Sequence, residues 1–344
     1  MAGVLPIEIE LEEKTQLYEI KHNLRERHRK YDLPLPIKDW PHPAQQVDIC
    51  KINDSTPYSI EIFTDGSKIR DRVGAGLAIY EDKILTRTCK YKLDNVCSNN
   101  QAEQVAILKA LESIQTFITR NPSKDIAIYT DSKVALNSIK NNSIHSHLIE
   151  KIRDKLRECM AVSYKIHFGW VKAHTGIEGN ELADQLAKEA AEDEELESVY
   201  NKTPITTITT ELKMKSLEKW QRQWQETEKG RVCRSFFPRV HIRQKMRIPI
   251  TQEFTAVVTG HGKTKSYLHR FKIINDPMCP CNSGDQTSEH LIYECRLLTN
   301  QRNNLKHQIA SAGGKWPTNN NDLIEKYLNA FVKFIKNIDF NQLQ

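Results

Sequence analysis

From Ile60 to Glu192 the spacing of apolar residues switches repeatedly between every second position and every third or fourth, and the order of those switches restricts the fold. The stretch SIEIFTDGSKIRDRVGAGLAIYEDKILTRTCKYKL reads as three strands, with Gly66-Ser67 starting one connection and Glu81-Asp82 making a hairpin turn. NNQAEQVAILKALESIQTFI places Val105, Leu108, Leu111 and Ile114 at helical spacing. DIAIYT is a strand pattern, SKVALNSIKN a helix, SHLIEKIRDKLREC a second amphipathic helix, VSYKIHFGWV a strand and NELADQLAKEAAE a closing helix. The order β-β-β-α-β-α-α-β-α predicts a mixed α/β layer, an antiparallel meander followed by parallel crossover units.

The flanks have a different texture. EIELEEKTQLYEIKHNLRERHRK is a helical pattern with charges at i,i+4, and the prolines of YDLPLPIKDWPHP forbid helix and predict an extended linker. The expected organisation is therefore a connector over 1–57, an α/β domain over 58–199 and a mostly helical tail over 200–344. An acidic run, EAAEDEELES, reads as a solvated helix end that closes the domain. In the tail Leu217, Trp220 and Trp224 mark one helix face, a core or docking stripe in preference to a base-stacking one.

Charged residues make up 27% of the chain and hydrophobic ones 39%, a soluble globular balance, and no apolar run approaches the roughly 20 residues of a membrane span. The N-terminal MAGVLPIEIELEEK lacks the basic start and apolar length of a secretion signal. With eight cysteines irregularly spaced over most of the chain, the expectation is a reducing compartment, cytoplasmic or nuclear, and a monomer with mostly free thiols. The net charge of +6 is uneven: from Asn201 onward there are 23 Lys and Arg against 12 Asp and Glu, and before it 27 against 32. A basic tail suits phosphate attraction or a merely solvated surface.

Two apolar runs end alike, in Thr64-Asp65 and Thr130-Asp131. A carboxylate at the end of each of two neighbouring strands, joined by Glu103 of the following helix and Asp184 of the last, would crowd one rim of the sheet. Such crowding is untenable without cations. Hard carboxylate oxygens with no cysteine nearby select Mg²⁺ or Mn²⁺, and two such ions roughly 4 Å apart suit phosphodiester hydrolysis.

At these residues the chain resembles type 1 ribonuclease H. Asp65 in FTDGS, Glu103 in SNNQAE, Asp131 in YTDS and Asp184 in GNELAD match that family's ordered acids, and GWVKAHTGIEGNELADQLAKEA is similar to its most specific block. More narrowly it looks like the ribonuclease H region of LINE-type, non-LTR retrotransposon polyproteins. The resemblance covers about residues 58–195 and implies a ribonuclease H-like fold, a mixed five-stranded sheet flanked by helices. It implies two Mg²⁺ or Mn²⁺ ions held by the four acids, with RNA–DNA hybrid as the nucleic-acid partner. The RNA strand would be cut to 3′-hydroxyl and 5′-phosphate ends. It also implies His174 as a proton carrier, a role to which histidine as a residue type is suited. Asn99 and Asn100 would read sugar or base edges, and Gly66 and Ser67 would lie where the backbone approaches substrate. As alternatives, Asn-Asn starts a helix well and Gly66 suits a turn. No Lys- and Trp-rich handle helix of the bacterial pattern separates LNSIKNN from IEKIRDKLREC.

In the tail, MCPCNSGDQTSEHLIYEC spaces Cys279-x-Cys281-x8-His290-x4-Cys295. Three thiolates and an imidazole are a closed, tetrahedral zinc set, and closed sets are structural. The C-x-C gap is tighter than usual, and unligated buried cysteines are the competing reading. LINE-type elements carry a similar motif downstream of ribonuclease H. Just upstream, Lys263, Lys265 and Arg270 form a possible phosphate-contacting patch, and His261 is a minor substitute ligand. Two other functions stand beside hybrid cleavage: a four-acid exonuclease, against which Gly66-Ser67 follows Asp65 in place of an Asp-x-Glu pair, and a non-catalytic nucleic-acid-binding remnant.

Overall fold

A computed structural model describes residues 3–22, 31–47, 49–52, 58–117, 125–162 and 164–343. In chain order its elements begin with α1 (Ile7–Lys21), β1 (Tyr31–Asp32), β2 (Cys50–Lys51), β3 (Ile60–Ile69), β4 (Arg72–Glu81), β5 (Ile84–Leu93) and α2 (Asn99–Phe117). They continue with β6 (Asp125–Thr130), α3 (Lys133–Lys140), α4 (His147–Ala161), β7 (Lys165–Trp170), α5 (Glu178–Glu192), β8 (Ser198–Tyr200), β9 (Thr203–Pro204) and α6 (Ile205–Glu226). The chain divides into two compact units, Thr15–Glu211 and Met1–Lys14 with Leu212–Gln344.

The first unit is built on a sheet of order β2-β7-β6-β3-β4-β5-β8. Its five long strands are those the periodicity predicts, with antiparallel pairing from β3 through β5 and parallel pairing from β3 to β6 to β7. Two short strands extend it, β2 beside β7 and β8 beside β5, so the sheet reaches past both ends of the expected domain core. The proline-rich stretch is likewise more than an extended linker, because β1 pairs with β9 and Pro34 bridges to Ser146. The N-terminal helical pattern holds to Lys21, and its last residues, 23–30, lie outside the described residues.

Alternation along β3 explains how two different helix layers meet one strand. Ile60 and Ile62 join Val105, Leu108, Leu111 and Ile114 of α2 in the main core, with Ile126 and Ile128 of β6 and Leu148, Ile152 and Leu156 of α4. The other face meets α5 at very short range. A Cβ on Gly74 would lie 2.3 Å from the Ala187 carbonyl oxygen, and one on Gly76 2.3 Å from that of Ala183. Ala183, Ala187, Ala190 and Ala191 are all fully buried, so α5 rests on β4 largely through small residues, with Leu186 also close to Gly76.

Two turns differ from expectation. Gly66-Ser67 does not start a connection, because β3 pairs with β4 without interruption from Ile60↔Glu81 to Ile69↔Arg72. The chain turns instead after Ile69, where Arg70 takes φ 55°, and the next hairpin turns at Asp82-Lys83 rather than Glu81-Asp82, with φ 47° and 69°. Both positive values match the turn twist that suits paired strands. Pairing over a long hairpin outweighs the local preference of Gly-Ser for a turn.

In the second unit, Phe236, Phe254, Leu291, Ile309, Phe331 and Ile335 belong to one buried cluster. Trp220 is buried with Ile9 and Val240, while Leu217 and Trp224 are partly buried against them, so the tryptophan stripe is core. No helix among the described residues is long and apolar enough to cross a membrane.

Because a Cβ at Gly76 meets main-chain atoms, which cannot rotate away, Gly76→Ala should cost about 1–3 kcal/mol. The urea midpoint should fall with the slope unchanged. An unaltered midpoint would show that α5 can lift from β4 freely.

Candidate active site

Each Thr-Asp pair has a structural reason for its threonine. The Thr64 hydroxyl donates to the Tyr129 carbonyl at 3.0 Å across the β3–β6 boundary, and the Thr130 hydroxyl accepts from Ser132 N–H at 3.1 Å. Both threonines are fully buried. Asp131 follows the end of β6 as expected, but Asp65 does not end its strand. It lies in the middle of β3, one residue beyond Thr64↔Thr130, where β6 stops and β4 continues alone. The two carboxylates are therefore neighbours at the β6 edge of the rim, while β4 keeps the backbone of Asp65 rigid.

Glu103 reaches the same point from α2. Ser98 and Gln101 form a reciprocal cap at the helix start, with Gln101 N–H to Ser98 Oγ at 3.3 Å and Ser98 N–H to Gln101 Oε1 at 2.9 Å. The helix can descend this far because Gly66 has no side chain: a Cβ there would sit 2.3 Å from Glu103 N. Gly66 is buried, and its N–H donates to Asp65 Oδ1 at 2.8 Å. Close approach of α2, rather than turn geometry, explains this glycine. Ser67 is buried too, whereas Asn99 and Asn100 stand exposed in the first turn of α2.

Oxygens of Asp65, Glu103 and Asp131 lie within 4.8 Å of one another. Burial pushes Asp65 up to about 8, with Asp131 and then Asp184 adding repulsion. Burial also pushes Glu103 up to about 10, reinforced by the charges of Asp65 and Asp131. Asp131 is raised, by burial first and by Asp184 as well. Glu103 Oε2 is buried with no hydrogen-bond partner. Three convergent carboxylates, one with an orphaned oxygen, fit a hard divalent cation.

Asp184 comes from α5 and belongs to a second set, with His174 and Glu181, whose ligand atoms also lie within 4.8 Å of one another. Its Oδ2 accepts from Lys188 Nζ at 2.6 Å, a half-exposed pair of small energetic weight. The repulsion it exerts on Asp65 joins the two sets electrostatically. His174 is exposed at φ 53° in the loop before α5, where Gly176 N–H donates to Glu181 Oε1 at 3.3 Å. Glu181 was not singled out from sequence, although it precedes Asp184 by three positions on the same helix. Trp170 was also missed: its Nε1–H donates to the Asp131 carbonyl at 2.9 Å, and Lys133 Nζ lies 3.8 Å from its ring centroid.

The cysteine–histidine residues also come together. Cys279, Cys281, His290 and Cys295 place their ligand atoms within 4.8 Å, with Cys279 and Cys295 sulfurs 3.7 Å apart and Cys281 Sγ 3.2 Å from His290 Nε2. Zn–S bonds of about 2.3 Å in a tetrahedron separate sulfurs by roughly 3.8 Å, so the set fits zinc. A π-turn, with Cys295 N–H donating to the His290 carbonyl at 2.8 Å, makes the x4 spacing close. His290 Nδ1 lies 3.4 Å from Glu294, which turns Nε2 toward the thiols. His261 is not in the set; it packs on Tyr267.

The raised carboxyls have a consequence for stability. In the unfolded chain Asp and Glu titrate near 3.8 and 4.5, so between there and about 8 or 10 the folded state holds extra protons at Asp65 and Glu103. That contribution is complete at low pH and is lost as pH rises through the folded values. The metal-free protein should accordingly melt at a lower temperature at pH 9 than at pH 6, and Glu103→Gln should flatten the fall. A melting temperature equally pH-dependent in that variant would assign the effect elsewhere.

A family model described as RNase H matches residues 57–192. Ribonuclease H of Blochmanniella pennsylvanica is 32% identical over 147 residues, 38% of this chain and 91% of that protein. Ribonuclease HI of Haemophilus influenzae is 30% identical over 42% of this chain and 96% of its own length. The retrovirus-related Pol polyprotein from type-1 retrotransposable element R1 of Popillia japonica is 28% identical over 214 residues, 58% of this chain and 77% of that protein. That match is longer than the domain itself. The corresponding R1 polyprotein of Bradysia coprophila is 33% identical, but the chain spans only 9% of its length. Among solved structures, RNase H1 of the archaeon Halobacterium salinarum aligns at 23% identity over 38% of this chain and 96% of that one, with a TM-score of 0.31. On the strength of the two nearly complete matches to cellular ribonucleases H, this chain belongs to the ribonuclease H family.

Proposed function

We propose that the chain is a metal-dependent endoribonuclease that cuts the RNA strand of RNA–DNA hybrids, and that it derives from a LINE-type retrotransposon. The observation that carries this reading is the meeting of Asp65, Glu103 and Asp131 around an orphaned Glu103 oxygen, with Asp184 close enough to raise Asp65. These four carboxylates would hold two Mg²⁺ or Mn²⁺ ions. When bound, such ions ease deprotonation of an attacking water and stabilise the leaving oxygen of a phosphodiester. His174, exposed beside Asp184, would carry a proton to or from the reacting oxygens. Asn99 and Asn100 are exposed just ahead of Glu103, and their amides can donate to and accept from an RNA 2′-hydroxyl. Gly66, buried, positions Glu103 and Asp65 by leaving room for α2 and donating its N–H to Asp65, and Gly66 and Ser67 together would lie where the backbone approaches substrate.

The four tail residues Cys279, Cys281, His290 and Cys295 would hold a structural zinc ion. They form a closed set with no open position for substrate, so zinc would hold the tail together and take no part in cleavage.

The test is cleavage of labelled RNA–DNA hybrid beside duplex DNA, duplex RNA and single-stranded RNA. Cleavage of the hybrid alone, dependent on Mg²⁺ or Mn²⁺, is expected; equal cleavage of single-stranded RNA overturns the reading. Asp131→Asn should abolish cleavage while leaving the melting temperature equal or higher, since it relieves repulsion. His174→Ala should slow turnover on the order of 100-fold with hybrid affinity little changed. Near wild-type rates in either variant would remove that residue from the site.

For the tail, elemental analysis of the purified chain should find about one zinc per molecule. Cys279→Ser combined with Cys281→Ser should lose it and loosen the tail. Less than half a zinc per wild-type chain would leave the cysteines as unligated core residues.

A further inference from the structure

The segment around α10 (Lys265–Arg270), which follows α7 (Arg231–Phe236), α8 (Val240–Lys245) and α9 (Gln252–Thr259), is unlike the rest of the tail. No residue of this helix is fully buried: Tyr267 is half-buried, and Phe271, which follows the helix, is exposed. Tyr267 and Phe271, four residues apart, share one face with ring centroids 4.7 Å apart, and the His261 ring lies 5.1 Å from Tyr267. Phe271 is 55% exposed. The Arg270 guanidinium carbon sits 5.4 Å from the Tyr267 centroid and 5.1 Å from that of Phe271.

Charge follows the same surface. Residues 261–272 contain four Lys and Arg and no acid. Lys263, expected in a phosphate-contacting patch, is instead paired with Glu253 at 2.8 Å. Lys265, Arg270 and Lys272 form no ion pair with any described residue. The ladder is also firmly mounted. Gln286, fully buried, accepts from Lys265 N–H at 2.8 Å through its side chain and from Ser266 N–H through its carbonyl, while its own amide donates to the Leu343 carbonyl at 2.6 Å.

We propose that His261, Tyr267 and Phe271 form a stacking platform for single-stranded nucleic acid, with Lys265, Arg270 and Lys272 neutralising its phosphates. The exposed rings of His261 and Phe271, with half-exposed Tyr267 between them, offer surface that unpaired bases can cover, whereas the bases of a duplex are already stacked on one another. Cations interleaved with the rings favour a polyanionic strand over an apolar protein partner. The site shares no residue with the carboxylate cluster, and its occupation requires no cleavage.

The test is fluorescence anisotropy of a labelled oligothymidylate twelve nucleotides long, titrated with the full chain without added divalent ions. Phe271→Ala and Tyr267→Ala should each weaken binding by roughly 5- to 100-fold. Arg270→Gln should weaken it and reduce the slope of log affinity against log salt by about 0.7. Phe271→Trp should restore binding, with tryptophan emission quenched by the oligonucleotide, which separates a stacking role from a folding one. Cleavage of a blunt hybrid at saturating concentration should be unchanged in Phe271→Ala. Oligothymidylate affinity within twofold of wild type in both alanine variants overturns the proposal. So does a dependence on the rings that appears only with anionic vesicles or in self-association.

Discussion

Repulsion among Asp65, Glu103, Asp131 and Asp184 is the force the α/β unit is built to resist. Two like charges 4 Å apart at an effective dielectric constant near 20 repel by about 4 kcal/mol. A whole domain is stable by only about 5–15 kcal/mol, so the cluster cannot be held by flexible segments. Three of the four acids are fixed from behind. β4 pairs with β3 on both sides of Asp65, Gly66 lets α2 lower Glu103 onto the strand, and Gly74 and Gly76 let α5 bring Asp184 down on the opposite face. The buried aliphatic layer under α2 and α4 supplies the opposing free energy. Protonation of Asp65 and Glu103 is the other relief open to the unligated molecule: burial raises both carboxyls first, and the neighbouring charges raise them further.

Much of this was readable from residue order, because period and spacing are local properties. The five long strands and the buried face of α2 follow from them, as do the two Thr-Asp ends, whereas Glu103 and Asp184 join the set through the resemblance of their motifs. What escaped depends on partners distant in sequence. Gly66-Ser67 has the composition of a turn, and only the uninterrupted ladder with β4 keeps it in a strand. Gly74 and Gly76 sit two apart on one face of VGAGLAIY, but their meaning appears only against Ala183 and Ala187, more than a hundred residues later. Strands of two or three residues such as β1, β2, β8 and β9 have no period to detect. Glu181 was hidden by its company: in a run rich in Glu, a helix-surface acid and a site acid look alike until the His174 loop folds over.

The missing handle illustrates how a local solution replaces an absent element. Only residues 141–146 link α3 to α4, and α3, like any helix, leaves its last carbonyls without helical partners. Arg153 supplies them. Its guanidinium donates to the carbonyls of Ser138, Ile139, Asn141 and Ile144 and to the Glu150 carboxylate, all while 3% exposed. Glu150 in turn lies 2.8 Å from His145, whose ring stacks on Trp40 at 4.0 Å. The proline-rich segment is thereby bound to the link, with Leu35 N–H donating to the His145 carbonyl at 2.7 Å.

The second unit meets the same difficulty in the same way. Its cysteine–histidine loop ends in a π-turn, where carbonyls again lose the regular partners of a helix. Arg302, 6% exposed, donates from Nε to the Ile292 carbonyl at 2.8 Å and from Nη2 to that of Cys295 at 2.5 Å. Both arginines hold an irregular bend open at a set width, because a planar fork offers donors in fixed directions. A lysine in either place would offer three donors from a single atom and could not reach carbonyls on opposite sides of the bend. Two buried arginines thus do for the loops what the glycines do for the helices: they fix the distance at which the backbone passes. Where ligands must converge within a few ångströms, that distance decides whether the residues named by the sequence ever meet.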